Sequence, residues 1–145
     1  MPQIDWLMMI LASGEGRLGT ALDPIRIQKA LFYISRDPSV PAAEKYRFEP
    51  YNYGPYSRAI YADLDALVEE GLLQTTPAPS GRWRLFSLTS TGFARFDEIR
   101  REAPPAWLAL AGSVRTLVTS LSFTELLRRV YRDFPEFAVN SIANV

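Results

Sequence analysis

The chain contains neither cysteine nor histidine among its 145 residues. Their absence excludes disulfide bonds, thiolate and imidazole nucleophiles, histidine general bases and zinc sites built on these ligands. Neither sign of charge is in excess, because 16 Lys and Arg residues balance 16 Asp and Glu residues. Nonspecific nucleic-acid binders are usually basic, so the bulk charge gives DNA binding no support, although a neutral chain can carry a local basic face.

Lysine is scarce, since only Lys29 and Lys45 occur and the other basic residues are arginine. Arginine suits planar contacts to phosphate, guanine or carboxylate, although genomic base composition explains the bias equally well. The apolar stretch 107–121 is too short to span a bilayer and contains Arg115. The uninterrupted apolar stretch at 4–12 predicts a first helix packed on the core, and no basic segment of the secretory type precedes it. We therefore expect a soluble cytoplasmic protein without enzymatic activity, cofactor, metal site or membrane contact.

The length and the hydrophobic fraction of 48% suit a single domain over residues 1–145. The predicted class is α+β and mostly helical. Within it, we expect a winged helix-turn-helix core over 1–103 and additional C-terminal helices over 104–145.

Residues 49–92 carry most of this fold prediction. The YGPYS motif at 53–57 predicts a tight turn that opens a helix with an apolar face. Gly71 ends this helix, and strands are predicted at 72–76 and 82–88 across a loop of Pro, Ser and Gly. A helix followed by two paired strands is the wing half of a winged helix-turn-helix domain.

The preceding helix is predicted to begin after Asp23, where an acceptor side chain is followed by proline, and to run to about Arg36. Helical periodicity places Lys29 and Arg36 opposite its apolar face. The link over 37–56 is longer than the turn of an ordinary helix-turn-helix motif. Part of it, at 46–49, is predicted to be a short edge strand.

The C-terminal part is predicted to be helical. Thr89 caps one helix, the proline pair at 104–105 separates it from the next, and Ser122 with Glu125 forms a capping box for the last. The middle helix carries an apolar stripe of Trp107, Leu110, Val114, Leu117 and Leu121. The stripe predicts either a homodimer interface or an internal seam against the last helix, and Arg115 is placed on the polar side.

Candidate DNA contacts lie on the helix after the YGPYS motif, where a winged-helix domain has its recognition helix. Its outward face holds Arg58, but also Asp65 and Glu69, which repel phosphate. Alternation along the second strand places Arg82 and Arg84 on one face, suited to a minor groove, and their apolar neighbours on the other.

The predicted DNA-contacting residues are Arg58, Arg82, Arg84 and Lys29. Arg17 and Arg36 would extend this basic patch if the fold brings them together. The alternative for all of them is a solvated surface.

A separate aromatic cluster comprises Tyr46, Phe48, Tyr51, Tyr53 and Tyr56. Such a cluster stacks on bases or anchors a protein partner, or else it packs the long link onto the core. The residues predicted to contact a protein partner are Tyr51, Tyr53 and Tyr56.

Two short motifs carry a resemblance to a known family. The IQK motif at 27–29, followed by LFY at 31–33, resembles a helix of Panacea-type antitoxin-associated domains, and YGP at 53–55 resembles their turn. The ending at 127–137 is similar to that of small uncharacterised bacterial winged-helix proteins. The resemblance implies neutralisation of a toxin by protein contact and carries over no catalytic residue. The LTSTG sequence at 88–92 is instead typical of transcriptional regulators.

The leading hypothesis is therefore a winged-helix protein that binds duplex DNA, as a transcriptional regulator in a mobile-element or defence locus. The alternative is a protein-interaction module, an antitoxin or adaptor that keeps the winged-helix fold and contacts a toxin or another protein without DNA. Fold alone does not choose between them.

Overall fold

The computed structural model describes residues 1–13 and 21–143. Its helices are α1 (Gln3–Ala12), α2 (Pro24–Arg36), α3 (Arg58–Glu69), α4 (Ser90–Glu102), α5 (Pro105–Ser120) and α6 (Phe123–Asp133). Short strands form two antiparallel hairpins, β1 (Glu49–Tyr51) with β2 (Gly54–Tyr56) and β3 (Leu73–Pro77) with β4 (Arg84–Leu88). The predicted α+β, mostly helical class is confirmed.

Helix α1 lies at the centre of the core. Its residues 5–11 are all buried, and it packs against α2, α4, α5 and β4. A helix that is apolar around most of its circumference must be covered on several sides, which explains why so many elements converge on it. The predicted first helix is confirmed.

The predicted helix starts are also confirmed. The carboxylate of Asp23 accepts a hydrogen bond of 2.9 Å from a first-turn backbone N–H of α2, and the hydroxyl of Thr89 accepts one of 3.0 Å from the N–H of Gly92. Ser122 and Glu125 form the reciprocal capping box of α6. These caps satisfy N–H groups that have no partner within the helix.

The long link between α2 and α3 differs from its prediction. The strand predicted at 46–49 begins only at Glu49, and it pairs with β2 in a hairpin that the sequence analysis did not include. Tyr46 instead turns into the core, where its hydroxyl donates a 2.6 Å hydrogen bond to the carboxylate of Asp63. The ring of Phe48 meets that of Phe32 edge-on, with centroids 5.4 Å apart.

The β3–β4 hairpin confirms the two predicted strands with shifted ends, since they begin at Leu73 and Arg84. Arg82 lies in the connecting turn, so it does not share a strand face with Arg84 as predicted. Leu22, just before α2, forms an isolated antiparallel bridge with Phe86 of β4 through hydrogen bonds of 3.0 and 2.8 Å. The bridge places a third segment of chain beside β4.

The prediction that Arg115 lies on the polar side of α5 is wrong, because its side chain is buried. Its Nη1 donates hydrogen bonds of 2.8 and 3.1 Å to the carbonyl oxygens of Ile10 and Leu11. These carbonyls end α1 and lack partners within it. Burial lowers the pKa of the guanidinium. Periodicity along α5 could not reveal acceptors from a helix at the other end of the sequence.

Helix α5 packs chiefly against α1 and α2, and its buried line runs through Ala111, Val114 and Val118. The predicted apolar stripe therefore faces partly away from the core. Stripe residues that are only partly buried are Trp107, Leu110, Leu117 and Leu121. The homodimer interface stays a prediction. Among the helices that the structure describes, none combines the length and apolar character needed to cross a bilayer.

Candidate functional site

An apolar cleft of about 340 Å³ opens between the start of α2, the β1–β2 hairpin, α3 and the β3–β4 turn. Its walls are mainly aromatic. The aromatic side chains are Tyr51, Tyr53, Tyr56, Tyr61 and Trp83. Among the described residues that line this aromatic cleft, none is acidic.

The β1–β2 hairpin supplies one wall of the aromatic cleft. Its register pairs Tyr51 with Gly54, and the rings of Tyr51 and Tyr56 lie 4.9 Å apart. Tyr61 of α3 continues the wall, 5.7 Å from Tyr56. Tyr51 and Tyr53 remain 50% and 40% exposed. The structure thus brings the predicted partner residues Tyr51, Tyr53 and Tyr56 together, whereas Tyr46 and Phe48 of the same cluster pack into the core.

Trp83, from the β3–β4 turn, also lines the cleft and was not predicted there, since strand alternation placed it on an apolar face. It precedes the first residue of β4, and its carbonyl accepts a 2.9 Å hydrogen bond from the N–H of Ala78. The side chain is 42% exposed. A tryptophan directly after a polar turn was the available signal, because such a residue has few strand neighbours to cover it.

Gln28 and Lys29 of α2 form the floor. The Gln28 side chain donates to the carbonyl of Ser57 and accepts from its N–H, both at 2.8 Å. The Lys29 Nζ donates to the carbonyl of Pro55 at 3.1 Å. The YGPYS segment is therefore held on α2 by two consecutive side chains.

The prediction that Lys29 lies on an outer face and contacts DNA is wrong for this structure. Lys29 is only 3% exposed, because the β1–β2 hairpin covers that side of α2. Burial lowers the pKa of its amine to about 7, with Asp23 acting in the opposite direction. A link of unknown path between α2 and α3 could not show that this side would be covered.

Gly54 closes the turn with φ +87°, a conformation that side-chain-bearing residues rarely adopt. A Cβ there would lie 3.1 Å from Cε1 of Tyr131 and 3.6 Å from Cε of Lys29. Tyr131 of α6 is itself anchored, since its hydroxyl donates a 2.6 Å hydrogen bond to Ser141. Close approach of α6 and left-handed backbone both require glycine at this position.

The remaining predicted DNA contacts, Arg58, Arg82 and Arg84, are exposed. Arg84 donates to the hydroxyl of Thr75 on β3, at 2.9 and 2.7 Å. Within the described residues, none of these three arginines forms an ion pair with a carboxylate. Arg58 lines a separate shallow depression together with Arg47.

The described residues do not show the extended basic patch. The guanidinium of Arg36 lies over the rings of Phe32 and Phe137, at 4.9 and 5.2 Å, in a cation–π arrangement. Lys29 is buried, and Arg17 lies outside the described residues.

In comparisons with known proteins, no protein-family model matches the chain and no curated protein matches it significantly. The resemblance to Panacea-type domains stays a prediction.

Proposed function

We propose that this protein is a protein-interaction module, an antitoxin or adaptor, whose partner docks in the aromatic cleft. One observation carries the proposal. The exposed large aromatic side chains of the described residues are Tyr51, Tyr53 and Trp83, and all of them line the same cleft. Scattered exposed apolar residues need no explanation, but a cluster of Tyr and Trp around a concave apolar surface is typical of protein interfaces.

The proposed scaffold is a winged helix with an inserted hairpin. Supporting it is the order α1, Leu22, α2, α3, β3 and β4, in which Leu22 adds a third segment beside β4. The β1–β2 hairpin stands between α2 and α3, where an ordinary helix-turn-helix has a short turn. Since this insertion supplies three of the five aromatic side chains that line the cleft, the departure from the plain motif is also what creates the proposed binding site.

DNA binding is the second candidate, as a transcriptional regulator in a mobile-element or defence locus. Its support is that Arg58, Arg82 and Arg84 are exposed without an ion-pair partner in the described part of the chain. The outward face of α3 also exposes Asp65 and Glu69, however. Two carboxylates on a reading face repel the phosphate backbone that dominates DNA affinity, so the geometry favours a protein partner.

Site-specific photo-crosslinking tests this choice. A photoreactive amino acid replaces Trp83 in one variant and Arg101, an exposed α4 residue that does not line the cleft, in the control. We expect a defined protein adduct from position 83 alone. The purified partner should then bind the unmodified protein and lose affinity for a Tyr53→Ala, Trp83→Ala variant. A DNA adduct at position 83 without any protein adduct would favour the second candidate.

A further inference from the structure

We propose that the partner segment in the aromatic cleft presents an apolar side chain directly followed by a carboxylate. The amine of Lys29 binds this carboxylate. This inference rests on the proposed function and specifies the chemistry of its partner.

The amine at the floor of the cleft has hydrogen-bond donors left over that can bind an anion. The side chain of Lys29 is only 3% exposed. Its Nζ donates one hydrogen bond, of 3.1 Å, to the carbonyl of Pro55. An ammonium group carries three donors, so one neutral acceptor leaves it under-satisfied when charged. A buried charge is costly unless it is paired, and a carboxylate supplies both the charge and further acceptors.

The apolar walls and the charge of the cleft lining restrict the occupant further. The aromatic walls suit an apolar side chain, and none of the described lining residues is acidic. Arg82 and Arg84 flank Trp83 in the sequence and are exposed, but neither is among the residues that line the cleft. Among the described residues that line the cleft, Lys29 is the charged one, and electrostatic complementarity therefore favours an acidic segment over a basic one.

Lys29 is the group expected to titrate near neutral pH in this region. Burial lowers the pKa of its amine to about 7. Asp23, which caps the N-terminus of the same helix, is already paired with Arg26 at 2.8 Å. On the other elements packed here, burial raises the pKa of Tyr131 of α6 and of Tyr61 of α3, so neither phenol is expected to titrate near neutral pH.

Two probes that differ by one group test the inference. N-acetyl-phenylalanine offers an aromatic side chain followed by a carboxylate, and its primary amide offers the same side chain without charge. In NMR titrations of the full chain at pH 6, we expect the acid to bind about tenfold more tightly, as a charge-assisted hydrogen bond requires. Lys29→Met should remove this preference, whereas Lys45→Met, which changes the other lysine, should retain it.

The outcomes separate the two proposals. Equal affinities of acid and amide would overturn the role of Lys29 and leave the cleft as a docking site. Binding of neither probe would contradict the cleft as a docking site for apolar side chains.

The unmodified protein provides a test that does not depend on the folding of Lys29→Met. The carboxylate of the probe is ionised throughout the range from pH 6 to 9, whereas Lys29 loses its proton within it. The preference for the acid should therefore decline as the pH rises from 6 to 9. A preference that stays constant over this range would also overturn the inference.

Discussion

The side chain of Gln28 forms a pair of 2.8 Å hydrogen bonds with the backbone of Ser57, donating to its carbonyl and accepting from its N–H. The next residue, Lys29, donates to the carbonyl of Pro55. The IQK motif of α2 and the YGPYS motif are thus parts of one clamp. The clamp fixes the β1–β2 hairpin over α2, and the aromatic cleft lies beside it.

Removal of the Gln28 amide should weaken this clamp. Gln28→Leu leaves the buried N–H and carbonyl of Ser57 without their partner, since Gln28 and Ser57 are 2% and 3% exposed. We expect a loss of about 2–4 kcal/mol in the free energy of unfolding, measured with urea. Gln74→Leu is the matched control, because Gln74 is exposed and should change stability by less than about 0.5 kcal/mol. Equal midpoints for both variants would contradict the clamp.

Gly54 and Gly81 form a second matched pair. Both have positive φ, +87° and +71°, but only at Gly54 does an added Cβ meet a neighbour, Cε1 of Tyr131 at 3.1 Å. Each alanine variant should lose about 1 kcal/mol from backbone strain. Gly54→Ala should lose about 1–2 kcal/mol more from crowding. Thermal and urea unfolding measure the difference, and equal losses would show that α6 does not constrain the turn.

Stability should depend on pH through Lys29. Its pKa of about 7 in the folded protein lies below the ordinary value of 10.5, so between these values the unfolded chain binds more protons. The cost of burying the charged amine is present below pH 7 and declines as the pH rises. The free energy of unfolding should therefore increase from pH 7 to pH 9. Lys29→Met should show a flatter profile, and parallel profiles would contradict the burial of the amine.

The predicted homodimer is tested at Leu117, which is partly exposed on α5. If the stripe is a subunit interface, Leu117→Glu should yield a folded monomer with unchanged circular dichroism, while the unmutated protein scatters light as a dimer. Val118→Glu, one residue on and 0% exposed, should instead unfold the protein, because a buried unpaired carboxylate costs several kcal/mol. An unmutated protein that is monomeric at high concentration would exclude the interface.

Features set by neighbours in sequence were predictable. The caps at Asp23, Thr89 and Ser122 depend on N–H groups three residues away, so their sequence signals suffice. Lys29 and Arg115 were predicted on polar faces but are buried. The carbonyl acceptor of Lys29 lies 26 residues away along the chain, and those of Arg115 lie 104 and 105 residues away. Helical periodicity identifies a polar face, but it cannot show that another element supplies acceptors there.

The aromatic cleft was predictable only in part for the same reason. The tyrosines of the YGPYS region could be selected from their clustering. The position of Trp83 directly after a polar turn indicated an exposed ring, but neither Tyr61 nor Trp83 could be assigned to the cleft from the sequence. They join it only when α3 and the β3–β4 turn are packed beside the hairpin.

The central claim, that the aromatic cleft docks an apolar protein side chain and not DNA, is tested most directly by fluorine NMR with 5-fluorotryptophan. Trp6 is 0% exposed and Trp107 packs 5.4 Å from it, so both are internal references for Trp83 at the cleft. Trp83→Phe assigns the resonances. We predict that N-acetyl-phenylalanine shifts the Trp83 resonance alone and that duplex DNA at low salt leaves it in place. A Trp83 resonance that moves with duplex DNA and not with N-acetyl-phenylalanine would contradict the claim.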